Sequence, residues 1–366
     1  MIVGVVGAGA ISEIYLSNMT NIFDQLHIKS ICAAHIENAQ KKAEQYQIQA
    51  CTFDEMLEDQ EIEMIVNLTP ANTHYEIISK TLKAGKHVYT EKPLADTLEK
   101  ASELLKLADE KGLYLGSAPD TFLGSALQTA RKAIDDGLIG EVTSCAAAAN
   151  RDNNILLSIF GFLSKPGGGA CLDYGIYYIT ALVSLLGPIR RTAAFVRAPY
   201  QTHSNINPTH PQYGKPFSTP NESQVSAILQ FDSGITGTFS LNNDSIIQDQ
   251  AFIAIYGTKG VLFLPDPNQF GNEVRFQPGT GFKDNFAQKD CVTLPALYNY
   301  SENSRGLGAA DMADAIMNHT ENRANKQLAY HVMEVLESFK KSSETGSFIN
   351  IASTCKRPAP MDPVCS

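Results

Sequence analysis

Gly7-Ala8-Gly9-Ala10-Ile11-Ser12 follows the apolar run Ile2–Val6 and opens a segment of helical character. A glycine at 7 permits a tight strand-to-helix turn, and one at 9 lets the backbone approach a pyrophosphate at the positive end of the helix. Ser12 replaces a third glycine and is small enough for close helix–strand packing. The strand–turn–helix setting is what makes this short pattern a dinucleotide signature, with Gly7, Gly9, Ala10, Ile11 and Ser12 as contacts. The competing reading is a glycine-rich turn with no ligand. An acid at the end of the second strand would bond the adenosine ribose and select NAD. His35 holds that position, followed by Ile36 and Glu37. The missing carboxylate removes a repulsion against a 2′-phosphate, so the cofactor is NAD or NADP with a slight lean to NADP. Further along, Asp173 and Tyr177 are four residues apart, which puts both side chains on one face of a helix. Helix capping by Asp173 and core packing by Tyr177 are the alternatives, and Tyr178 is expected to pack.

The elements around these residues alternate. Strands are predicted at Ile2–Val6, His27–Ala34, Met64–Leu68, His87–Thr90 and Leu113–Ser117, with helices at Asn38–Tyr46, Tyr75–Ala84 and Leu98–Lys111 between them. Strand–helix alternation implies right-handed crossovers and an α/β, doubly wound parallel sheet. After Pro119 the texture changes to hairpins, such as Gln224–Phe231 and Ile235–Leu241 around Asp232-Ser233-Gly234. That predicts a second, α+β domain with a large, mostly antiparallel open sheet, whose open face carries apolar residues such as Ile228 and Phe239 and invites pairing. The expected division is 1–118 for dinucleotide binding, 119–355 for substrate and oligomerisation, and 356–366 as an irregular tail. Residues 198–220 form a loop longer than ordinary connections, and such loops are functional or disordered.

The chain has 366 residues, 43% of them hydrophobic, with 29 Lys+Arg, 39 Asp+Glu and a net charge of −10. That balance argues against nucleic acid or an anionic membrane as partner. Met1–Val6 has neither a basic flank nor a cleavable core, and the apolar stretch Ile176–Leu186 is too short to span a bilayer. The 7 cysteines are scattered without a CxxC pair, which suggests no disulfide framework and no zinc site. A cytoplasmic protein with reduced thiols is expected. His203 and His210 lack a carboxylate at ligand spacing, and no metal is expected. Asn150, Arg151, Asp152 and Asp120 are polar residues that could line a pocket, and Lys165 could reach substrate hydroxyls.

Four ordered motifs lie between Gly7 and Tyr177: the N-terminal fingerprint, Thr69-Pro70-Ala71-Asn72-Thr73-His74, Glu91-Lys92-Pro93, and Gly167-Gly168-Gly169 with Asp173-Tyr174-Gly175-Ile176-Tyr177. By these motifs, and over nearly its whole length, the chain resembles the glucose–fructose oxidoreductase / inositol dehydrogenase / rhizopine-catabolism (Gfo/Idh/MocA) family of NAD(P)-dependent oxidoreductases. The resemblance implies a Rossmann domain, a sugar, cyclitol or related polyol as substrate, and a homodimer or homotetramer joined through the second domain's sheet. It implies that Lys92 lies between nicotinamide and substrate, where a cation stabilises developing charge on oxygen. Glu91 would orient the lysine or touch cofactor, and Thr69, Pro70 and His74 would lie near the nicotinamide ribose, with capping or packing at the helix start as the alternative for His74. The lysine–proline peptide is often cis in relatives. Many relatives carry His where this chain has Tyr177; a phenol beside an ammonium can relay the proton, which leaves Tyr177 and Lys92 both open as the acid/base. Asp173 would position hydroxyls, with Arg151 and Lys165 as further substrate contacts. The same family includes glycoside hydrolases that recycle a bound cofactor and silent dinucleotide-binding regulators. Retention of Lys92, Asp173 and Tyr177 argues against a silent regulator.

Overall fold

The computed structural model describes residues 1–165, 168–246, 251–279 and 290–363. Gly167, and the tail beyond residue 363 with Cys365, lie outside the described residues. The chain forms two compact units: residues 1–120 with 303–330, and residues 121–302 with 331–366. The expected division near residue 118 is thus followed by a return: segment 303–330 counts with the first unit, which no composition change announces.

The first unit contains β1 (Ile2–Val6), α1 (Ser12–Asn21), β2 (His27–Cys32), α2 (Ile36–Tyr46), β3 (Gln49–Ala50), α3 (Phe53–Glu58), β4 (Met64–Asn67), α4 (His74–Lys83), β5 (His87–Thr90), α5 (Leu98–Lys111) and β6 (Leu115–Ser117). The strands pair in parallel in the order β3-β2-β1-β4-β5-β6. The centre of the sheet is buried on both faces, which explains why Val3, Val5, Met64, Ile65 and Val66 read as unbroken apolar runs. Helix ends carry local signals. Thr52 and Glu55 form a reciprocal capping box on α3, Thr97 caps α5, and Gly112 ends α5 in the left-handed region.

The second unit contains α6 (Ser125–Asp135), β7 (Val142–Asn150), α7 (Asn153–Ile159), α8 (Ile176–Leu186), β8 (Ile189–Arg197), β9 (Thr202–Ser204), β10 (Pro216–Ser218), β11 (Gln224–Phe231), β12 (Thr236–Asn242), β13 (Phe252–Gly257), β14 (Gly260–Leu264), β15 (Arg275–Pro278) and β16 (Val292–Thr293). The chain then gives α9 (Leu307–Met317) to the first unit, forms α10 (Lys326–Thr345) and closes with β17 (Ile349–Asn350). A 9-stranded sheet has the order β16-β15-β14-β13-β7-β12-β11-β8-β17, antiparallel except where β12 runs parallel to β7. One face is apolar in the period-two pattern: Val225, Ala227, Leu229 and Phe231 point inward, whereas Ile228 faces out at 51% exposure and Phe195 at 77%. Phe239, which the sequence reading placed on the open face, is instead 1% exposed.

Every residue of α8 is buried, so the run too short for a membrane span is a core helix. Among the described residues no helix is long and apolar enough to cross a membrane. Tyr178 on α8, Phe239 on β12 and Phe339 on α10 stack in sequence, with ring centroids 5.8 and 6.0 Å apart. The long loop has structure of its own: β9 and β10 pair antiparallel, and His203 stacks on Phe217 with centroids 5.9 Å apart. The six cysteines within the described residues are free thiols. Phe239→Ala empties the middle of the aromatic row and should cost about 3–5 kcal/mol of stability, read as a lowered denaturant midpoint.

Candidate active site

In the first unit, β1 ends at Gly7, whose φ is +112°. A Cβ there would lie 2.8 Å from the carbonyl carbon and oxygen of Leu68. Only glycine fits both the conformation and the contact. At Gly9 a Cβ would meet no protein atom within 4 Å, so nothing in the described protein demands glycine. The residue is exposed, and α1 begins at once with no side-chain cap on its N-terminal N–H groups. Ser12 is buried, and its hydroxyl donates to the Gly9 carbonyl at 2.7 Å, pinning the turn from inside. Ala10 is exposed and Ile11 half-buried on the outer side of the turn. An uncapped helix start behind an unobstructed glycine fits a dinucleotide pyrophosphate. His35, exposed, immediately precedes α2 beyond the end of β2.

Glu91, Lys92 and Pro93 leave the C-terminal end of β5, with the Lys92–Pro93 peptide cis. Two ties hold this segment. The Tyr15 hydroxyl from α1 donates to Glu91 Oε1 at 2.8 Å, while the Lys92 N–H donates to Glu91 Oε2 at 3.1 Å. Burial, then the Glu91 charge, raise the Tyr15 pKa well above the ordinary phenol value, so it stays a donor. The second tie is His74: its Nδ1 lies 2.7 Å from the Pro93 carbonyl oxygen and its Nε2 2.8 Å from that of Thr69. Burial lowers the His74 pKa against the pull of those two carbonyls. The ring is 0% exposed, so His74 acts as an internal strut between two loops. Thr69 is half-buried, its hydroxyl bonded to Asn67, and Pro70 is exposed beside it. Lys92 is half-buried.

Asp120, grouped by sequence with pocket residues, is 1% exposed and accepts the N–H groups of Gly306 and Gly308, both at 3.0 Å. It caps α9, and Asn18 of α1 adds bonds to the carbonyls of Asn303 and Arg305. Neither tie left a local sequence signal, because the partners are far apart in the chain.

In the second unit, Cys171–Gly175 winds as a π turn leading into α8, a feature that often marks functional sites. Asp173 Oδ2 pairs with Arg151 Nη1 at 3.0 Å. The Arg151 guanidinium also lies 3.9 Å above the Tyr174 ring, and the Tyr174 hydroxyl donates to Asp266 Oδ2 at 2.5 Å. Burial, followed by the Asp266 charge, drives the Tyr174 pKa up. Tyr177 is 8% exposed, its ring tilted 6.0 Å from that of Tyr174. Tyr178 is 0% exposed, in the core as expected. Glu222 braces the approach to the turn by accepting the Cys171 N–H at 3.1 Å, and a Cβ at Gly169 would lie 2.2 Å from its carboxylate. Lys165 is exposed, and Asp152 caps α7 through the Asn154 N–H. The structure therefore joins Arg151 to Asp173, leaves Lys165 apart, and adds Tyr174, Asp266 and Glu222.

The parallel sheet order, the constrained glycine and the uncapped helix start define a Rossmann-type dinucleotide-binding protein. Residues 1–118 match the model of an oxidoreductase family with an NAD-binding Rossmann fold, and residues 127–263 match the Gfo/Idh/MocA C-terminal domain. The chain belongs to that family of NAD-binding oxidoreductases.

An uncharacterised oxidoreductase of Schizosaccharomyces pombe is 35% identical over 135 residues, 37% of this chain and 37% of its own length. The scyllo-inositol 2-dehydrogenase (NADP(+)) of Bacillus subtilis is 25% identical over 215 residues, 58% of this chain and 60% of that enzyme. The chain thus spans less than two thirds of either relative. Levoglucosan dehydrogenase in complex with NADH and L-sorbose superimposes with a TM-score of 0.82 over 96% of this chain and 99% of that one, at 19% identity, a likeness of fold.

Burial pushes the Asp120 pKa up to about 6, against the bond from Gly308 and the nearby Arg305. The folded protein therefore holds this proton more tightly than the unfolded chain does. The resulting stabilisation is full below about pH 4, the unfolded value, and is lost as the pH rises through about 6. Asp120→Asn should remove that component. The melting-temperature difference between wild type and variant should shift against the wild type from pH 4 to 7, and a pH-independent difference would refute it.

Proposed function

We propose that this protein transfers a hydride between a nicotinamide dinucleotide and the hydroxyl-bearing carbon of a sugar, cyclitol or related polyol, in the cytoplasm. The observation that carries this reading is the Glu91-Lys92-Pro93 segment at the C-terminal end of β5, held by Tyr15 and His74 in a unit with an NAD-binding fold. Open α/β sheets bind their ligands at that end of the strands. The names of the relatives point the same way, toward an inositol and an anhydrosugar.

Nicotinamide, when bound, supplies the hydride acceptor or donor. Lys92 hydrogen-bonds the reacting oxygen and stabilises negative charge on it. Either Lys92 or Tyr177 serves as the acid/base, and Asp173, fixed by Arg151, accepts hydrogen bonds from substrate hydroxyls. His35, in place of an acid after β2, supports the lean to NADP, the cofactor in the name of the Bacillus subtilis relative.

Sugars, inositols and glycosides supplied with NAD or NADP should give reduced cofactor with at least one free polyol. Lys92→Met should lower kcat/KM by roughly 100- to 1,000-fold while dinucleotide affinity stays within a few-fold. An active Lys92→Met enzyme would sink the assignment, and glycoside cleavage without net reduced cofactor would favour the recycling hydrolase chemistry instead.

The outward row with Phe195 and Ile228 on β8 and β11 supports association through the second unit's sheet. Light scattering should report a dimer or tetramer at micromolar concentration, and a monomer would contradict this.

A further inference from the structure

Asp266 lies in the connection from β14 to β15, and no step of the proposed reaction uses it. Pro265 and Pro267 flank it; the first has its own φ locked, and the second restricts the backbone of Asp266. Asp266 Oδ1 accepts the Asn268 N–H at 2.9 Å, and the Asp266 carbonyl accepts the Gln269 N–H at 3.1 Å. The carboxylate is thus oriented from within its own loop. Its other oxygen, Oδ2, accepts the Tyr174 hydroxyl at 2.5 Å, a bond that joins the loop to the π turn 92 residues away in sequence. The Tyr174 ring packs against Tyr177 and Tyr178, with centroids 6.0 and 5.6 Å away, and carries the Arg151 guanidinium 3.9 Å above its face. The Arg151 backbone is fixed as well: its N–H donates to the Asn242 carbonyl at 2.8 Å, and its carbonyl accepts the Ser245 N–H at 3.0 Å. Only the direction of its long side chain remains to be set, and that side chain has much rotamer freedom to lose.

We infer that Asp266 is a positioning residue for the substrate site: through the Tyr174 hydroxyl it fixes the ring that carries Arg151, and Arg151 in turn fixes Asp173. This deepens the functional reading above and rests on its placing of Asp173 against substrate. Two effects run along the chain of contacts. A phenol-to-carboxylate hydrogen bond is charge-assisted and short, so the ring cannot tilt without breaking it. The carboxylate also polarises the phenol, which makes the ring face more attractive to the cation above it. Burial, then the Asp266 charge, raises the Tyr174 pKa, so the phenol remains the donor at neutral pH. Arg151 Nη1 then meets Asp173 Oδ2 at 3.0 Å from a side chain whose plane is already set. The competing role for Asp266 is a tie that holds its loop to the π turn and has no effect on Arg151.

The test combines crystal structures of Asp266→Ala and Tyr174→Phe with steady-state kinetics on glucose, myo-inositol and methyl β-glucoside, each with NAD and NADP. In Asp266→Ala the Arg151 guanidinium should leave the ring, and its distance from Asp173 should exceed roughly 4 Å, the limit of an ion pair. For any polyol turned over, KM should rise roughly 5- to 30-fold with kcat within about threefold, because a hydroxyl contact is made in ground and transition states alike. Dinucleotide affinity should not change. Asp266→Asn keeps an acceptor for the phenol and should lie between wild type and Asp266→Ala. Tyr174→Phe cuts the same bond while keeping the ring; it is the second variant should the alanine disturb folding, and should raise KM in the same direction. The double variant should be no worse than the worse single one, since both remove one bond. An unmoved Arg151, an unchanged KM in both single variants, or losses that add in the double variant each overturns the inference. A lowered melting temperature with Arg151 in place would mark Asp266 as a loop tie alone. Movement of Arg151 with no polyol turned over would leave the positioning role standing and count against the oxidoreductase reading. Turnover with Arg151 unmoved would do the reverse.

Discussion

At Gly7 the backbone leaving the first strand passes so close to Leu68 that no side chain can stand between them, and the positive φ turns it straight into α1. Much of the first unit's chemistry hangs on that contact. It sets the ends of β1 and β4 side by side, so that the glycine turn and the Thr69 loop share one edge of the sheet. From Thr69 the path runs through the His74 ring to the Pro93 carbonyl, and from α1 through Tyr15 to Glu91. The backbone on either side of Lys92 is thus held from α1 through Glu91 and from the Thr69 loop through Pro93. In the proposed reaction such placement would leave little reorganisation for a cation that stabilises a developing alkoxide.

The second unit solves a similar problem with different means. A π turn places Asp173 just ahead of a wholly buried helix, and Arg151 holds the carboxylate while lying over Tyr174. Glu222 braces the turn at a point where Gly169 leaves no space for a side chain. Half-buried charged groups that satisfy one another in this way are hard to move.

The alternation of strands and helices, the glycine turn and the motif residues on strand ends were readable because each is a local pattern with a local cause. The hairpins of the second sheet were legible for the same reason. What was hidden was long-range. Nothing near Asp120 announces that it caps α9, some 186 residues away in sequence, and a buried carboxylate looks the same as a pocket-lining one until its partners are known. His74 was similarly ambiguous: motif position allowed a place near cofactor or packing at the helix start, and its ring is a buried strut. Phe239 read as an open-face residue because period-two patterning identifies two faces without saying which one a helix covers. Segment 303–330 carries no composition change to mark its membership of the first unit, since α9 is a mostly buried, alanine-rich helix that could belong to either.

The account stands on direct hydride transfer between substrate carbon and nicotinamide. The most direct measurement supplies a polyol deuterated at the reacting carbon together with oxidised cofactor and follows the label. The account predicts one deuterium at nicotinamide C4 for each substrate oxidised, with reduced cofactor accumulating. Label that returns to the sugar as a glycosidic bond breaks, or that exchanges with solvent and never reaches nicotinamide, would contradict it.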